Sequence, residues 1–288
     1  MAPADEKRDL QPDGAAGAAP EGAALADPQA GPEPRATADG SLTLYDPAAG
    51  QTYHSGRGAW TETLHVFLGA SGMAERLAAG RAGRVVEVGL GTGLNLLATL
   101  DAAAFGGAAL HYRALELRPP RVATVRTLDF GRHLRRPELA DAWLAVLADL
   151  AEHGRPGAVH RVPSGLLPPG TTLEVALGDA TSGPTGAPSP AASSLLEPGW
   201  ADAIYHDAFS PDASPGLWSD VFLGACARSL APGGTWVSYS VAGTVRRRLT
   251  GHGLRVEKLP GPVGGKREML RAVRPREAAS DPTASPRR

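Results

Sequence analysis

The chain has 288 residues, a formal net charge of −1, 36 glycines, 26 prolines and one cysteine. The lone Cys226 excludes an internal disulfide and a cysteine-based zinc site, and its apolar surroundings mark it as a small core residue. The N-terminus has no apolar signal core and no stretch approaches 18 uncharged apolar residues, so neither export nor a membrane span is expected, and a cytoplasmic location is.

The near-neutral charge is a sum of unlike parts. Residues 1–40 carry three basic and eight acidic residues, many glycines, prolines and alanines, and no aromatic residue. Such a stretch cannot bury enough apolar surface to offset its ordering entropy, so it is expected to be a disordered tail. Residues 275–288 are expected to be a second, slightly basic tail. Between them, residues 41–274 are long enough for one domain and carry a net charge of +3. The whole-chain charge is therefore no argument against a nucleic-acid partner.

In chain order, RVVEVG (84–89) reads as a strand, followed by a glycine turn and a helix through LNLLATLDA. LHYRALE (110–116) is a second strand closed by Pro119 and Pro120, and a helical stretch with proline breaks spans roughly 121–152. TTLEVALGD (171–179) alternates as a strand, and the proline-rich 182–199 reads as a loop. DAIYHD (202–207) is the next strand, 217–231 a helix ended by Pro232-Gly233-Gly234, and TWVSYS (235–240) a strand. After the helix AGTVRRRLTGHG, LRVEKLP and REMLRAV read as a closing antiparallel pair. The alternation predicts an α/β fold with a doubly wound, mostly parallel sheet, seven strands in all, whose ligands sit at the carboxyl ends of the strands.

The first of those ends carries Glu87-Val88-Gly89-Leu90-Gly91-Thr92-Gly93. A dinucleotide fingerprint would place its third glycine at position 94, which is Leu94; the glycines instead fall at 89, 91 and 93. This spacing, with an acid two residues before the first glycine, resembles the first motif of the Rossmann-like class I S-adenosyl-L-methionine (SAM) methyltransferases. An acid is tolerable near the ammonium of a methionine zwitterion and unwelcome near a pyrophosphate. Glu116 ends the second strand, placed to accept from ribose hydroxyls, and Asp179 ends the third, placed to take an adenine amino group. Each acid alone also reads as a solvated strand end.

His206-Asp207-Ala208-Phe209-Ser210-Pro211 follows the fourth strand. Methyl transfer to an amine needs a carboxylate to hold the nucleophile and accept its proton, which Asp207 suits, while Phe209 suits packing on the acceptor. The alternative is a turn cap at Asp207 and a core role for Phe209.

The segments TYHSGRGAWTETLHVFL (52–68), EVGLGTGLN (87–95), LGD (177–179), YHDAFSPDASPGLW (205–218), APGGTWVSYS (231–240) and GKREML (265–270) together resemble one family. It is the methyltransferase that completes 5-methylaminomethyl-2-thiouridine at the tRNA wobble position, found as the N-terminal half of bifunctional MnmC and as separate proteins. The resemblance implies SAM-dependent N-methylation of 5-aminomethyl-2-thiouridine, tRNA contact in the anticodon region, and Asp207 at the acceptor amine. It also implies that Glu62 and Asn95 help to close the SAM site. With no second glycine-rich nucleotide motif, methylation without the flavin oxidase step is expected, another enzyme supplying the aminomethyl intermediate. The family's frequent lysine after the Phe-x-Pro turn is Asp212 here, and 182–199 looks like an insertion.

Residues 244–274 carry nine basic residues, among them Arg246, Arg247, Arg248, Lys266 and Arg267, against Glu257 and Glu268. A basic segment on an otherwise acidic body suits contact with a phosphate backbone, and a solvated helix face is the alternative. Two further readings stay open: a SAM methyltransferase for a small-molecule or protein amine, and a non-catalytic nucleotide-binding module.

Overall fold

The computed structural model describes residues 31–265 and 267–276. Most of both expected tails, and Lys266, lie outside the described residues. The described chain opens with a three-stranded antiparallel sheet of β1 (Glu33–Ala36), β2 (Leu42–Asp46) and β3 (Gln51–Thr52). This corrects the tail boundary, because β1 lies inside 1–40. All four of its residues are exposed, so the strand is held by ladder hydrogen bonds to β2, which composition does not reveal.

Next come α1 (Ala59–Glu62), continued by a wider π-helical turn over Thr63–Gly69, and α2 (Met73–Ala78). The doubly wound unit follows: β4 (Gly83–Val88), α3 (Leu94–Gly106), β5 (Leu110–Glu116), α4 (Val122–Arg126), α5 (Glu138–His153), β6 (Val159–Arg161), β7 (Thr171–Leu177) and α6 (Pro190–Leu195). Its second half is β8 (Ala201–His206), α7 (Asp220–Ser229), β9 (Leu230–Ser238), α8 (Gly243–Gly251), β10 (Arg255–Pro260) and β11 (Glu268–Val273).

The main sheet runs β10-β11-β9-β8-β4-β5-β7-β6. Strands β9, β8, β4, β5 and β7 are parallel, and β11, β10 and β6 join antiparallel. The expected α/β architecture is present, with eight strands in place of seven. The added strand, β6, has only three residues, too few to show a period, and is pinned by a 2.6 Å His160–Asp149 contact from α5. The 182–199 loop also contains a helix, α6. Its start was encoded: Ser189 accepts from the Ala192 N–H at 3.2 Å and Pro190 occupies the first helical position.

Each face of the sheet buries one apolar layer. Phe67, Leu97, Tyr112, Trp143 and Val146 pack on one side, and Trp218, Phe222, Cys226, Trp236 and Leu249 on the other. Burial of each large apolar side chain contributes about 1.5–3 kcal/mol, which holds the strands in register. Strand order reverses at β4, since β5 and β7 extend to one side and β8 and β9 to the other. At that switch the carboxyl ends diverge and leave a crevice.

Candidate active site

A cavity of about 840 Å³ opens there, within the range of small-ligand sites. The turn after β4 forms its floor. Gly89 has φ +88°, and a Cβ there would lie 2.8 Å from the Asp207 carbonyl oxygen, so only glycine lets this turn meet the one after β8. Gly91 also lines the cavity. Gly93 does not: a Cβ would fall 2.3 Å from the Trp143 ring, whose Nε1 donates to the Thr92 carbonyl at 2.7 Å. The third glycine serves helix packing.

Glu116 and Asp179 stand in the wall. Glu116 accepts from the Gly91 N–H on one oxygen and from the Arg118 N–H on the other, each at 2.8 Å. The Leu117 N–H is a third backbone donor, so the carboxylate is held in place from the main chain. Burial raises the Glu116 pKa above the usual carboxylate range. Asp179 is exposed, and one of its oxygens accepts from the Thr181 N–H and hydroxyl at 2.8 Å. Asp46, Glu116 and Asp179 share the wall with Arg118 and Arg121, and these acids suit a ligand bearing a sulfonium and an ammonium. Together with the glycine floor, this donor set fits SAM.

Asp207 and Phe209 lie in the same cavity, at the end of β8. The loop carrying them is pinned through its backbone. The Tyr239 hydroxyl donates to the Ala208 carbonyl at 2.8 Å, and the Trp218 indole to that of Phe209 at 2.7 Å. Gln51 of β3 exchanges two bonds with Ser210, and Tyr53 meets the Phe209 ring edge-on at 5.3 Å.

Glu62, Glu87 and Asn95 do not line the cavity; they form a buried layer around Asp207. The Asn95 amide donates to Glu87 at 2.8 Å and to Oδ2 of Asp207 at 2.7 Å, and its carbonyl accepts from the Thr63 hydroxyl at 2.9 Å. Glu87 also accepts from the Tyr112 hydroxyl at 2.8 Å. Burial pushes Glu87 up to about 8. Burial, followed by repulsion from Glu62 and Glu87, holds Asp207 well above its ordinary value. That makes its carboxylate an unusually strong proton acceptor. Its Oδ1 is buried and has no hydrogen-bond partner among the described residues.

Sequence reasoning missed His54. The turn after β3 places it by a bond from its N–H to the Thr43 hydroxyl at 3.0 Å, while the next N–H, of Ser55, goes to Glu62 at 2.8 Å. Its Nε2 lies 3.6 Å from Oδ2 of Asp207. Burial lowers its pKa to about 4, so the ring is neutral at physiological pH and the contact is not an ion pair.

The basic segment is less available than its sequence suggests. Arg248 donates to the Trp218 carbonyl, Lys258 pairs with Glu268 at 2.6 Å, Arg271 pairs with Glu257 at 3.1 Å, and Arg274 caps the Arg228 and Leu230 carbonyls. Arg246, Arg247, Arg255 and Arg267 are exposed, and no carboxylate among the described residues pairs with them. Through its bond to the Trp218 carbonyl, Arg248 braces the segment whose Trp218 indole holds the Phe209 carbonyl. Among the described residues no helix is long and apolar enough to cross a membrane, and no group of residues forms a metal site.

A family model described as S-adenosyl-L-methionine-dependent methyltransferase matches residues 164–275, the part containing β7, β8 and β9. The tRNA 5-methylaminomethyl-2-thiouridine biosynthesis bifunctional protein MnmC of Azoarcus sp. (strain BH72) is 38% identical over 236 residues, covering 80% of this chain and 34% of that protein. The protein of the same name from Caulobacter vibrioides is 36% identical over 236 residues, covering 78% of this chain and 36% of that protein. This chain thus spans about a third of the length of these relatives. The crystal structure of MNMC2 from Aquifex aeolicus is similar with a TM-score of 0.63 at 25% identity, covering 87% of this chain and 73% of that one. By these similarities the chain belongs to the MnmC family of methyltransferases, with S-adenosyl-L-methionine as its cofactor.

Proposed function

We propose that the protein N-methylates 5-aminomethyl-2-thiouridine at the wobble position of tRNA, in the cytoplasm, on an intermediate made by a separate enzyme. One observation carries this reading: Asp207, a buried carboxyl of raised basicity with Oδ1 unpartnered, faces the cavity that suits a sulfonium donor. An amine is the nucleophile such a group serves, and the names of the relatives supply its identity.

In this reading Gly89 and Gly91 let the backbone approach the methionine portion, Glu116 accepts from the ribose hydroxyls and Asp179 takes the adenine amino group. Bound there, SAM supplies an electrophilic methyl carbon. Asp207 orients the amine and takes the proton it loses, and Phe209 with Tyr53 packs on the base and excludes water. Glu62, Glu87 and Asn95 act one layer back, fixing Asp207. Arg246, Arg247, Lys266 and Arg267 contact phosphates around the anticodon.

Nucleoside analysis of tRNA from a deletion strain tests the reading. Accumulation of the unmethylated aminomethyl base is expected. An unchanged tRNA profile would leave a small-molecule or protein amine as the acceptor.

A further inference from the structure

A primary amine that aims its lone pair at a methyl carbon has two N–H bonds left, and each needs an acceptor. Asp207 offers one, the buried and unpartnered Oδ1. A second stands beside it. Both ring nitrogens of His54 are buried without a hydrogen-bond partner among the described residues, the residue lines the same cavity, and Nε2 is 3.6 Å from the Asp207 carboxylate. The Ala208 carbonyl, the nearest backbone alternative in sequence, already accepts from Tyr239. Buried polar atoms without partners are rare, and two kinds meeting at one cavity call for a shared ligand.

We propose that His54 is the second acceptor for the substrate amine, that it holds the nitrogen together with Asp207, and that this pairing limits transfer to one methyl group. The proposal rests on the amine-methylation reading above. A neutral imidazole accepts through the nitrogen that carries no proton, which suits an N–H donor.

The amine sheds its first proton to solvent as it is buried, leaving a neutral nitrogen with two N–H bonds, one on Asp207 and one on His54. Its lone pair forms the bond to the methyl carbon while the carbon–sulfur bond breaks and leaves its electron pair on sulfur. The nitrogen, now positively charged, gives one of its two protons to Asp207. The product amine keeps a single N–H. Aiming its lone pair at a second methyl donor would press the new methyl group against one of the two acceptors and leave that acceptor unpaired, which disfavours a second transfer.

The test compares full-length wild type, His54→Ala and His54→Gln, with SAM binding and circular dichroism as fold controls. The substrate is tRNA carrying the aminomethyl base, and products are read by nucleoside mass spectrometry. His54→Ala is expected to lower kcat by about 10- to 100-fold with SAM affinity unchanged, and to form some dimethylamino product at long incubation. His54→Gln, whose side-chain carbonyl can accept, is expected to recover most of the rate and the single-methyl product. His54→Ala with wild-type kcat, or with only the monomethyl product at matched turnover, overturns the proposal. A wild-type enzyme that transfers no methyl to this tRNA overturns the underlying reading instead.

Discussion

Asn95 donates a 2.7 Å hydrogen bond to Oδ2 of Asp207 while the same amide nitrogen bonds Glu87 at 2.8 Å. One neutral side chain thus separates two buried carboxyls and fixes the orientation of the one that reaches the cavity. Asn95→Leu removes both bonds and leaves two acceptors unpaired, so it should destabilise the fold by about 2–4 kcal/mol. Methyl transfer should fall more than SAM affinity does. Chemical denaturation together with single-turnover methylation measures both effects, and a variant of unchanged rate would remove Asn95 from the account.

Asp207→Asn keeps the shape and the Asn95 contact zone but not the charge or the basicity. It should retain SAM binding, measured by calorimetry, and lose methyl transfer by about 100-fold or more. Loss of SAM affinity on the same scale would mean that Asp207 serves the cofactor and not the acceptor.

In the ligand-free protein the buried histidines and the buried carboxyls Glu87, Glu116 and Asp207 should pull stability in opposite directions as pH changes. His54 and His206 are buried, with pKa values lowered to about 4 and about 3, so below the unfolded value near 6.5 the unfolded chain gains protons that the folded chain refuses. Their stabilising effect is lost as pH falls through that window. Glu87 acts in the opposite sense: raised to about 8, it holds a proton in the fold that the unfolded chain has released above about 4.5, so stability falls as pH rises from there toward 8. Thermal melts across pH 4–9 check this, and Glu87→Gln should flatten the alkaline arm.

Gly93→Ala tests the reassignment of the third glycine. With φ +82° and a Cβ 2.3 Å from the Trp143 ring, the substitution should cost about 2–4 kcal/mol. SAM affinity of the folded fraction should be nearly unchanged. The Trp143 fluorescence environment and the denaturation midpoint read out the effect.

Arg246→Ala with Arg247→Ala should weaken tRNA binding and reduce the slope of log affinity against log salt by about 1–2, leaving SAM affinity alone. Arg248→Ala should behave differently, destabilising the Trp218–Phe209 segment through the lost carbonyl contact.

Much of this was legible in the sequence, for reasons that differ by residue. Glu116, Asp179 and Asp207 end consecutive parallel strands, and parallel topology alone sends those ends to one crevice. The motif marks Glu87 and Asn95 but not their depth, because a strand-end acid looks the same in sequence whether it faces the ligand or the layer behind it. Gly93 shows the same limit, since positive φ is required both by a ligand and by an indole. His54 is invisible in sequence: its proximity to Asp207 is set by the turn after β3, held to Thr43 of β2, and a single histidine has no spacing to read. The basic count of 244–274 overstates the free charge because Glu257 stands opposite Arg271 in the β10–β11 ladder and Glu268 reaches Lys258 diagonally across it.

The most direct test of the central claim is incubation of the full chain with methyl-labelled SAM and total tRNA from a strain that lacks the wobble methylation, followed by nucleoside mass spectrometry. One labelled methyl on 5-aminomethyl-2-thiouridine is expected, and none with the Asp207→Asn protein. Label appearing at another nucleoside, or no transfer to tRNA by a folded, SAM-binding protein, would contradict it.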